Sequence, residues 1–520
     1  MSSAPAPGQV QRARDRLLAA ALSRISDRTL RGWAGPLLVT ALGAWLRFRQ
    51  LSTPQALVFD ETYYAPQAFG ILRSGAERTV IMVMSGQLPS GAGSGMFVPG
   101  GVFAAHPPFG KIQIAVGEWL FGLSPFGWRF AAALAGSASI LLLARIARRM
   151  TGSDLLGCVA GLLLALDGLE FVMSRTAMLD IFVMFWVLAG FGCLVIDRDQ
   201  ARDRLAARSP GLPADGAGPR LGIRWWRIAA GCCLGLAVAV KWNGLYFLVL
   251  FALLCVMWDM TARRAAGFRR YIRGALVTDG AVLLPSLWLT GAVAYLATWS
   301  GWFASSIGWD RNYAAAHGVH TPVISALYSL YQYHREMLSY NVGLNSAAAH
   351  GSQPWAWPLL TQPVRFYYAA PRFAEDGCTV AAGCVQNVLA VGTPAIWWAS
   401  LAALPALAVW GWRRRDWRAG AALFGVAAGW LPWFAFPDRT QYFYYAVSFV
   451  PFVCLALALC LGLILGPADG SRTRRAWGAA IAGGYLLVVA LNFAWLYPVL
   501  AGSPISGSAW LSRMWFSSWI

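Results

Sequence analysis

Apolar windows long enough to cross a lipid bilayer recur eleven times along this chain of 520 residues. A hydrocarbon core about 30 Å thick requires about 20 consecutive apolar residues in a helix. The composition, 58% hydrophobic and 12% charged, excludes an ordinary soluble enzyme. The sequence therefore predicts an all-α polytopic integral membrane protein with about 11 transmembrane helices. The windows are 32–50, 126–146, 154–172, 177–196, 226–241, 243–260, 277–299, 394–412, 418–435, 442–466 and 476–497.

Basic residues concentrate on one side of these windows. Of the 42 Lys and Arg residues, 28 fall in the N-terminal segment and in the loops on its side, together with 11 of the 23 acidic residues. Loops rich in Lys and Arg stay in the cytoplasm, which predicts a cytoplasmic N-terminus and, after an odd number of spans, a C-terminus outside. The net charge of +19 is therefore an orientation signal. Because no basic soluble domain is evident, we expect no nucleic-acid partner.

Hydropathy and charge divide the chain into five regions. The first 31 residues lack a short apolar stretch followed by a cleavage site, so we expect an uncleaved tail there. The loops at 51–125 and 300–393, which the charge distribution places outside, are much longer than usual. Loops of that length are typical of functional segments. A Gly/Ser-rich stretch at 85–101 is expected to be mobile. The regions are a cytoplasmic basic tail (1–31), a transmembrane module (32–299) containing the first outer loop (51–125), a long outer loop (300–393), C-terminal transmembrane helices (394–497) and an outer tail (498–520).

The long outer loop carries two further structural signals. Cys378 and Cys384 lie there with five residues between them, on a side where an oxidising compartment permits a disulfide, so we expect them to pair. The other seven cysteines fall in predicted spans, where Cys usually packs as a small residue, and no Cys/His cluster has zinc-ligand spacing. Apolar residues at three-to-four spacing over 322–340 predict an amphipathic interfacial helix.

Two adjacent carboxylates follow the first span. Asp60 and Glu61 precede Tyr63 and Tyr64 in an aromatic setting on the outer side. One interpretation is a helix N-terminus, with Asp60 as the cap and Glu61 in the first turn. The other is a general base, because a carboxylate in a partly desolvated pocket can accept a proton from a hydroxyl nucleophile. Taken alone, the Asp60-Glu61 pair favours the helix N-terminus, with Asp60 as its cap.

Three cations follow in the same loop and at the start of the second span. His106 and Lys111 flank two prolines, which fix an extended segment. A juxtamembrane turn with a snorkelling lysine is the structural alternative. Arg129 falls at the outer end of the second span, where a cation must be paired or meet the headgroup layer. Its position would suit the phosphate of a lipid in the outer leaflet.

More ionisable residues occupy outer helix ends. Arg175 and Asp180 flank the turn before the fourth span, and Lys241 lies between the fifth and sixth. Such groups indicate a functional site, although an ion pair between Arg175 and Asp180 would satisfy both structurally, and the two interpretations are evenly balanced. Tyr442 belongs to an aromatic run at 439–445, which could equally be an interfacial belt.

These motifs, in this order, resemble those of the protein O-mannosyltransferases, a family with the GT-C fold, and in particular the actinobacterial type. The resemblance covers roughly residues 58–451. The family's Asn in its Gly-Asn-Pro motif is replaced here by Thr393, and the fungal His-Tyr by Gln441-Tyr442. The outer loop is too short for the β-trefoil domain of the eukaryotic enzymes. The matching segments are Asp60-Glu61, His-Pro-Pro-Phe-Gly-Lys at 106–111, Arg129-Phe130, Arg-Thr-Ala-Met-Leu-Asp at 175–180, His334, and His350 followed by Ser-Gln-Pro-Trp-Ala-Trp-Pro at 352–358.

The resemblance implies a polyprenyl monophosphate mannose donor and a Ser or Thr hydroxyl acceptor on an exported polypeptide. Asp60 would deprotonate that hydroxyl as it attacks C1 of mannose with inversion, while Glu61 would orient the acceptor or the base. Positive charge would receive the leaving phosphate, with Arg129 as the first choice. The implied donor-binding residues are Arg129, His106, Lys111, Arg175, Asp180 and Lys241, and the implied acceptor or rim residues are Tyr64, His334, His350, Trp355 and Tyr442.

The resemblance also implies the setting of the reaction. The protein would be a multi-pass plasma-membrane enzyme with its active site outside, surrounded by membrane lipids and supplied by the Sec translocation machinery. No cofactor is expected, since cations suffice for a single phosphate, although an Asp-Glu pair could hold a divalent cation. Trp355 would shape the acceptor groove or anchor the loop at the headgroup layer.

Two other functions remain open at this point. Another GT-C lipid-linked sugar transferase, acting with aminoarabinose or arabinose on an envelope glycolipid, would show a similar architecture. A secondary transporter would instead place its charges near the membrane midplane within internal repeats. The polar residues here lie at outer helix ends and no repeat is evident, so the distribution favours the transferase.

Overall fold

Helices account for every predicted apolar window. The computed structural model describes residues 27–79, 97–345, 350–467 and 469–520. Most of the predicted tail (1–31) and most of the Gly/Ser-rich stretch (85–101) lie outside the described residues. Within these ranges all eleven windows coincide with helical segments. The prediction of a helical, multi-span membrane protein is confirmed, with one two-stranded sheet as the exception among the described residues.

The helices and strands are numbered here in chain order. The segment Tyr271–Ala297 combines α- and π-helical turns and is treated as one element. Short 3₁₀ turns lie at Pro354–Leu359, Leu431–Ala435, Phe443–Phe449 and Ser517–Trp519. The elements are α1 (Asp27–Phe48), α2 (Glu61–Ser74), α3 (Phe109–Phe121), α4 (Pro125–Thr151), α5 (Asp154–Ala165), α6 (Gly168–Ser174), α7 (Asp180–Arg208), α8 (Trp225–Val240), α9 (Gly244–Ala265), α10 (Tyr271–Ala297), α11 (Ser300–Ala304), α12 (Tyr313–Ala316), α13 (Pro322–Gly343), β1 (Val364–Ala369), β2 (Gln386–Ala390), α14 (Pro394–Arg414), α15 (Trp417–Trp430), α16 (Val450–Leu465), α17 (Arg472–Ala501) and α18 (Gly507–Leu511).

Seven of the described helical segments are long and apolar enough to cross a membrane, and α5 with α6 forms an eighth if that bent pair is one span. The remaining windows correspond to α1, to the 16-residue α8 and to the 14-residue α15. The predicted total of about eleven spans and the positions of the termini stay predictions.

The centre of the fold is formed by the most uniformly apolar helix. Helix α16 carries hydrophobic residues on all sides and is buried over most of its length. A helix apolar all round is stable only when other helices surround it. Helices α4, α5, α14, α15 and α17 provide that environment, and glycines allow close approach, as where Gly425 of α15 lies against the ring of Phe452.

The long outer loop forms a small folded cap. Strands β1 and β2 pair antiparallel, and Cys378 and Cys384 between them form the predicted disulfide. Helix α13 confirms the helix predicted over 322–340, and it exposes Val323, Ile324 and Tyr331 along one face. Trp355 is exposed, as a headgroup anchor requires, but Trp357 is buried against Trp433. Trp357, two residues later in the same segment, therefore cannot anchor the loop at the headgroup layer, because its ring is buried against Trp433 and Tyr445.

Candidate active site

Six of the residues singled out in the sequence line one cavity of about 310 Å³. The cavity lies between the start of α2, the segment before α3, the α8–α9 turn and the segment before α16. It is the point where the ends of several helices meet on one side of the molecule. The six are Asp60, Tyr64, His106, Lys111, Lys241 and Tyr442.

Asp60 occupies the N-cap position of α2 without acting as a cap. Its backbone has helical φ and ψ angles, and its side chain accepts no hydrogen bond from the first turn. Instead, the Tyr64 hydroxyl donates to Asp60 Oδ2 at 3.3 Å. Burial raises the pKa of Asp60 from its ordinary value to about 6, against the opposing effect of the Lys241 charge. Because it is not used as a helix cap, the Asp60 carboxylate can face the cavity. Its raised pKa suits a base that works near neutral pH.

Glu61 points away from the cavity into a fully buried clamp. Arg129 Nε and Nη2 each donate to it at 2.8 Å, and the backbone N–H groups of Val58 and Ala177 donate at 2.9 and 2.8 Å. The other Arg129 donors reach the carbonyls of Leu51, Pro54 and Ala56. Both side chains are completely buried. This clamp fixes the start of α2, and with it Asp60.

The clamp bears on the roles expected for Arg129 and Glu61. Arg129 does not line the cavity, and its guanidinium donors are all directed at protein acceptors, so none is left for a phosphate in this arrangement. Glu61 does not line the cavity either, so it can orient the base but cannot touch the substrate. Arg129 is therefore not placed for the expected phosphate contact, whereas Glu61 is placed to orient the base, as expected from the sequence.

Lys241 brings positive charge into the cavity. It follows the end of α8, and its Nζ contacts both Asp180 carboxylate oxygens at 3.0 Å and lies 4.4 Å from the Tyr445 ring centre. The turn into α9 requires Gly244, because a Cβ there would come within 2.7 Å of the backbone of Ala237. Gly244 therefore permits the tight turn between α8 and α9 that holds Lys241 beside Asp60.

His106 and Lys111 line the same cavity but differ in charge. Lys111 Nζ pairs with Glu77 at 2.9 Å and donates to the His106 carbonyl at 2.8 Å. Burial and the nearby Lys241, Lys111 and Arg439 charges hold the pKa of His106 well below its usual range. His106 is consequently neutral at pH 7, where it can exchange hydrogen bonds but adds no positive charge.

Arg439 is a cavity residue that the sequence prediction missed. Its Nε donates to the Asn341 carbonyl at 2.7 Å, and its guanidinium lies over Trp433 and Tyr445. Lys111 and Lys241 each have a carboxylate partner, whereas Arg439 forms no ion pair with any described residue. Of the cations lining the cavity, it is the one whose charge is not already balanced by a carboxylate.

Four predicted site residues lie elsewhere. Arg175 donates to carbonyls at the end of α1, at 2.8 Å for Arg47 and 2.6 Å for Arg49, so the suggested pair with Asp180 does not form. His334 is held in an aromatic cluster, with one ring nitrogen 2.6 Å from the Tyr295 hydroxyl and the other 2.7 Å from the Leu330 carbonyl. His350 and Trp355 are absent from the cavity wall.

Similarity to known proteins extends over nearly the whole chain. The family model described as dolichyl-phosphate-mannose-protein mannosyltransferase matches residues 37–300, and the C-terminal four-TMM region of protein-O-mannosyltransferase matches 326–519. The polyprenol-phosphate-mannose–protein mannosyltransferase of Mycobacterium tuberculosis is 42% identical over 516 residues, covering 94% of this chain and 92% of that protein. The chain belongs to the protein O-mannosyltransferase family.

Two further relatives support this assignment. The polyprenol-phosphate-mannose–protein mannosyltransferase of Corynebacterium glutamicum is 34% identical over 502 residues, covering 94% of this chain and 93% of that protein. The Saccharomyces cerevisiae Pmt1-Pmt2 complex bound to the sugar donor matches with a TM-score of 0.72 at 14% identity, covering 94% of this chain and 93% of the matched chain. That likeness confirms the GT-C fold of this protein O-mannosyltransferase.

The side chains around the cavity of this mannosyltransferase that could ligate a metal ion do not form a cluster. Among the described residues, no group of three or more His, Cys, Asp or Glu side chains is placed to hold a metal ion. Asp60 faces the cavity while Glu61 is held by Arg129, so the two adjacent carboxylates cannot chelate one ion in this arrangement.

Proposed function

We propose that this protein O-mannosyltransferase transfers mannose from polyprenyl monophosphate mannose to Ser or Thr hydroxyls of exported polypeptides. The names of its mycobacterial and corynebacterial relatives support the donor and the protein acceptor. The observation that carries the chemistry is the half-buried Asp60, with a pKa of about 6, in one cavity with Lys241 and Arg439. A base and an unbalanced cation are the two groups that the reaction requires.

In the proposed reaction Asp60 removes the proton of the acceptor hydroxyl. The hydroxyl oxygen forms a bond to C1 of mannose, and the bond from C1 to the phosphate oxygen breaks with inversion. The electron pair leaves on the polyprenyl phosphate, which is a weak base and requires no general acid. Arg439 receives the developing negative charge, with Lys241 beside it, and the neutral His106 hydrogen-bonds to the donor.

The proposed setting follows the distribution of charge. The cavity lies at the side with few basic loops, which corresponds to the outer face of the plasma membrane. Acceptors would arrive there unfolded, as the Sec machinery delivers them, and membrane lipids would surround the apolar helices. We propose that no metal takes part, since the cations of the cavity can balance one phosphate.

A direct assay tests the proposed function. The purified protein is reconstituted in liposomes with labelled polyprenyl-phosphate mannose, a Thr-containing peptide and a glycolipid fraction. Label in the peptide, unchanged by a chelator and lost when Thr is replaced by Ala, is the expected result. Label in the glycolipid alone would indicate another lipid-linked sugar transferase, and movement of a solute without transfer would indicate a transporter.

Activity should fall in acid because the base must be deprotonated. The pKa of Asp60 is raised to about 6, so the reactive carboxylate dominates above that pH and disappears below it. We expect kcat/KM to be constant above pH 7 and about tenfold lower one unit below the pKa. Initial rates with the peptide acceptor measure this profile. A rate that stays flat down to pH 4.5 would contradict the assignment of the base.

Replacing Arg439 tests the phosphate site. Arg439→Gln removes the cation that lacks a carboxylate partner, and we expect kcat to fall by about 10²- to 10³-fold, as for loss of one transition-state donor. Arg439→Lys should keep part of the rate, because it retains the positive charge but lacks the planar guanidinium group. Arg372→Gln, an exposed arginine on the same side, is the matched control and should leave the rate unchanged. Equal rates for Arg439→Gln and the control would refute the role.

A further inference from the structure

A second cavity, of about 690 Å³, lies at the opposite end of the helices from the active site. Helix α7 runs from Asp180, beside the active-site lysine, to Arg208, and α8 returns from Trp225 to Val240. At 1.5 Å per residue the 16 residues of α8 place Trp225 about 24 Å from the active-site end. This cavity is therefore separate from the donor and acceptor site.

The cavity is a largely apolar groove between two helices. Its walls are the first turns of α8 and a stretch of α10 where π-helical turns widen the helix, a feature often found at functional sites. Trp225, Ile223 and Val277 line it and expose more than half of their surface. Large apolar side chains exposed together on a membrane protein form a surface that lipid can cover, so acyl chains can enter between the two helices.

The buried charges of the wall, Arg224 and Asp279, are balanced by residues that lie behind them. Arg224 and Arg227 form a four-membered cluster with Asp197 and Asp259, with contacts of 2.7 to 3.1 Å. A second buried pair, which joins Arg263 to Asp279 at 2.7 Å, completes the polar part of the wall. These groups hold the groove in shape but contribute no net charge to it.

The mouth, in contrast, carries uncompensated positive charge. Arg220 lines the cavity and is exposed. Arg204 Nη1 donates to the Ile223 carbonyl and Arg208 Nη1 to the Arg220 carbonyl, each at 2.7 Å, so both guanidinium groups lie against the same segment. None of these three arginines forms an ion pair with a described residue. Three cations above an apolar groove match the headgroup and chain of an anionic lipid.

We propose that this cavity binds one anionic phospholipid of the membrane leaflet on that side. Its phosphate lies at Arg220, Arg204 and Arg208, and an acyl chain lies in the groove between α8 and α10. The volume is within the range of pockets that enclose most of a small ligand. A free phosphate ion would use only the mouth, whereas the apolar depth of the groove favours a lipid.

Native mass spectrometry of the full chain tests this site. The protein is taken from nanodiscs of equal parts phosphatidylcholine and phosphatidylglycerol, and the lipids that remain bound after release into detergent are counted. We expect one retained phosphatidylglycerol per chain. Arg220→Gln should weaken its retention about fivefold, the effect of one basic residue near an anionic headgroup. Ala281→Trp, which fills the groove from an exposed wall position, should abolish it.

Arg270→Gln is the matched control, because Arg270 is exposed at the same end but does not line the cavity. It should retain the lipid like the unmodified protein, and melting curves establish that each variant is folded. Equal retention in Arg220→Gln and Arg270→Gln would overturn the proposal. So would equal retention of phosphatidylcholine, or displacement of the lipid by inorganic phosphate alone. Peptide mannosylation does not enter this test, so its outcome is independent of the proposed function.

Discussion

Replacing Asp60 by Asn is expected to reduce mannosyl transfer by about 10²- to 10⁴-fold, the usual contribution of a general base. The substitution keeps the size of the side chain but removes its ability to accept a proton from the hydroxyl. Asp60 caps no helix and forms no ion pair with a described residue, so the fold should not depend on its charge. Burial raises its pKa, which means that the neutral amide should be tolerated at least as well as the carboxylate.

The measurement is single-turnover transfer of labelled mannose to a Thr-containing peptide, with donor binding measured separately. We expect binding of the polyprenyl donor to persist while the chemical step is lost, and the acid limb of the pH profile to disappear from any residual activity. Asp376→Asn is the matched control, because Asp376 lies in an exposed outer turn with a positive φ angle that Asn also adopts. Transfer by Asp60→Asn at the control rate would exclude Asp60 as the base.

Six residues of the cavity wall, Asp60 among them, could be singled out from the sequence because the patterns that contain them are local. Asp60 lies among aromatic residues just outside a span, and a proline pair fixes His106 next to the following helix. Hydropathy likewise places the apolar helices, since about 20 apolar residues in a row have few alternatives to a membrane helix. The two π-helical stretches of α10 could not be predicted, because its residues are as apolar as those of the regular helices.

The partners of the buried cations could not be predicted for a different reason. An arginine at an outer helix end looks the same in sequence whether it meets a lipid phosphate, a carboxylate or a set of carbonyls. Arg129 meets Glu61, which lies 68 residues earlier, and Arg175 meets carbonyls at the end of α1. Only the packing of α1, α2, α4 and α6 decides between these outcomes. Periodicity carries no information about such distant pairs.

Arg439 was missed because its surroundings have a common alternative explanation. Four aromatic residues follow it within 442–445, a pattern that is typical of an interfacial belt. The structure directs Tyr442, Tyr444 and Tyr445 into the cavity instead. What distinguishes Arg439 is that no described carboxylate pairs with it, while Lys111 and Lys241 are both neutralised. Which of these three cations lacks a carboxylate partner can be seen only in the three-dimensional structure.

Breaking the Glu61–Arg129 clamp is expected to have the largest effect on stability. Arg129→Met leaves the Glu61 carboxylate buried without its cation, and loss of one partner of a buried pair costs about 3–5 kcal/mol of folding free energy. The carbonyls of Leu51, Pro54 and Ala56 would lose their donors as well. Because the same clamp holds the start of α2, transfer should fall even in the fraction of protein that remains folded.

Thermal unfolding in detergent measures this effect, and a second arginine of helix α4 provides the matched control. Arg148 lies at the other end of α4 and pairs with Asp154 where both side chains are partly exposed, a setting in which an ion pair contributes only about 0–1 kcal/mol. Arg148→Met should therefore unfold close to the unmodified protein, and Arg129→Met far below it. The double variant Glu61→Gln with Arg129→Met should recover part of the stability, since no unpaired charge remains, but not the transfer rate. Recovery of both would show that the clamp does not position Asp60, and recovery of neither would show that the Glu61 charge is not what destabilises the single variant.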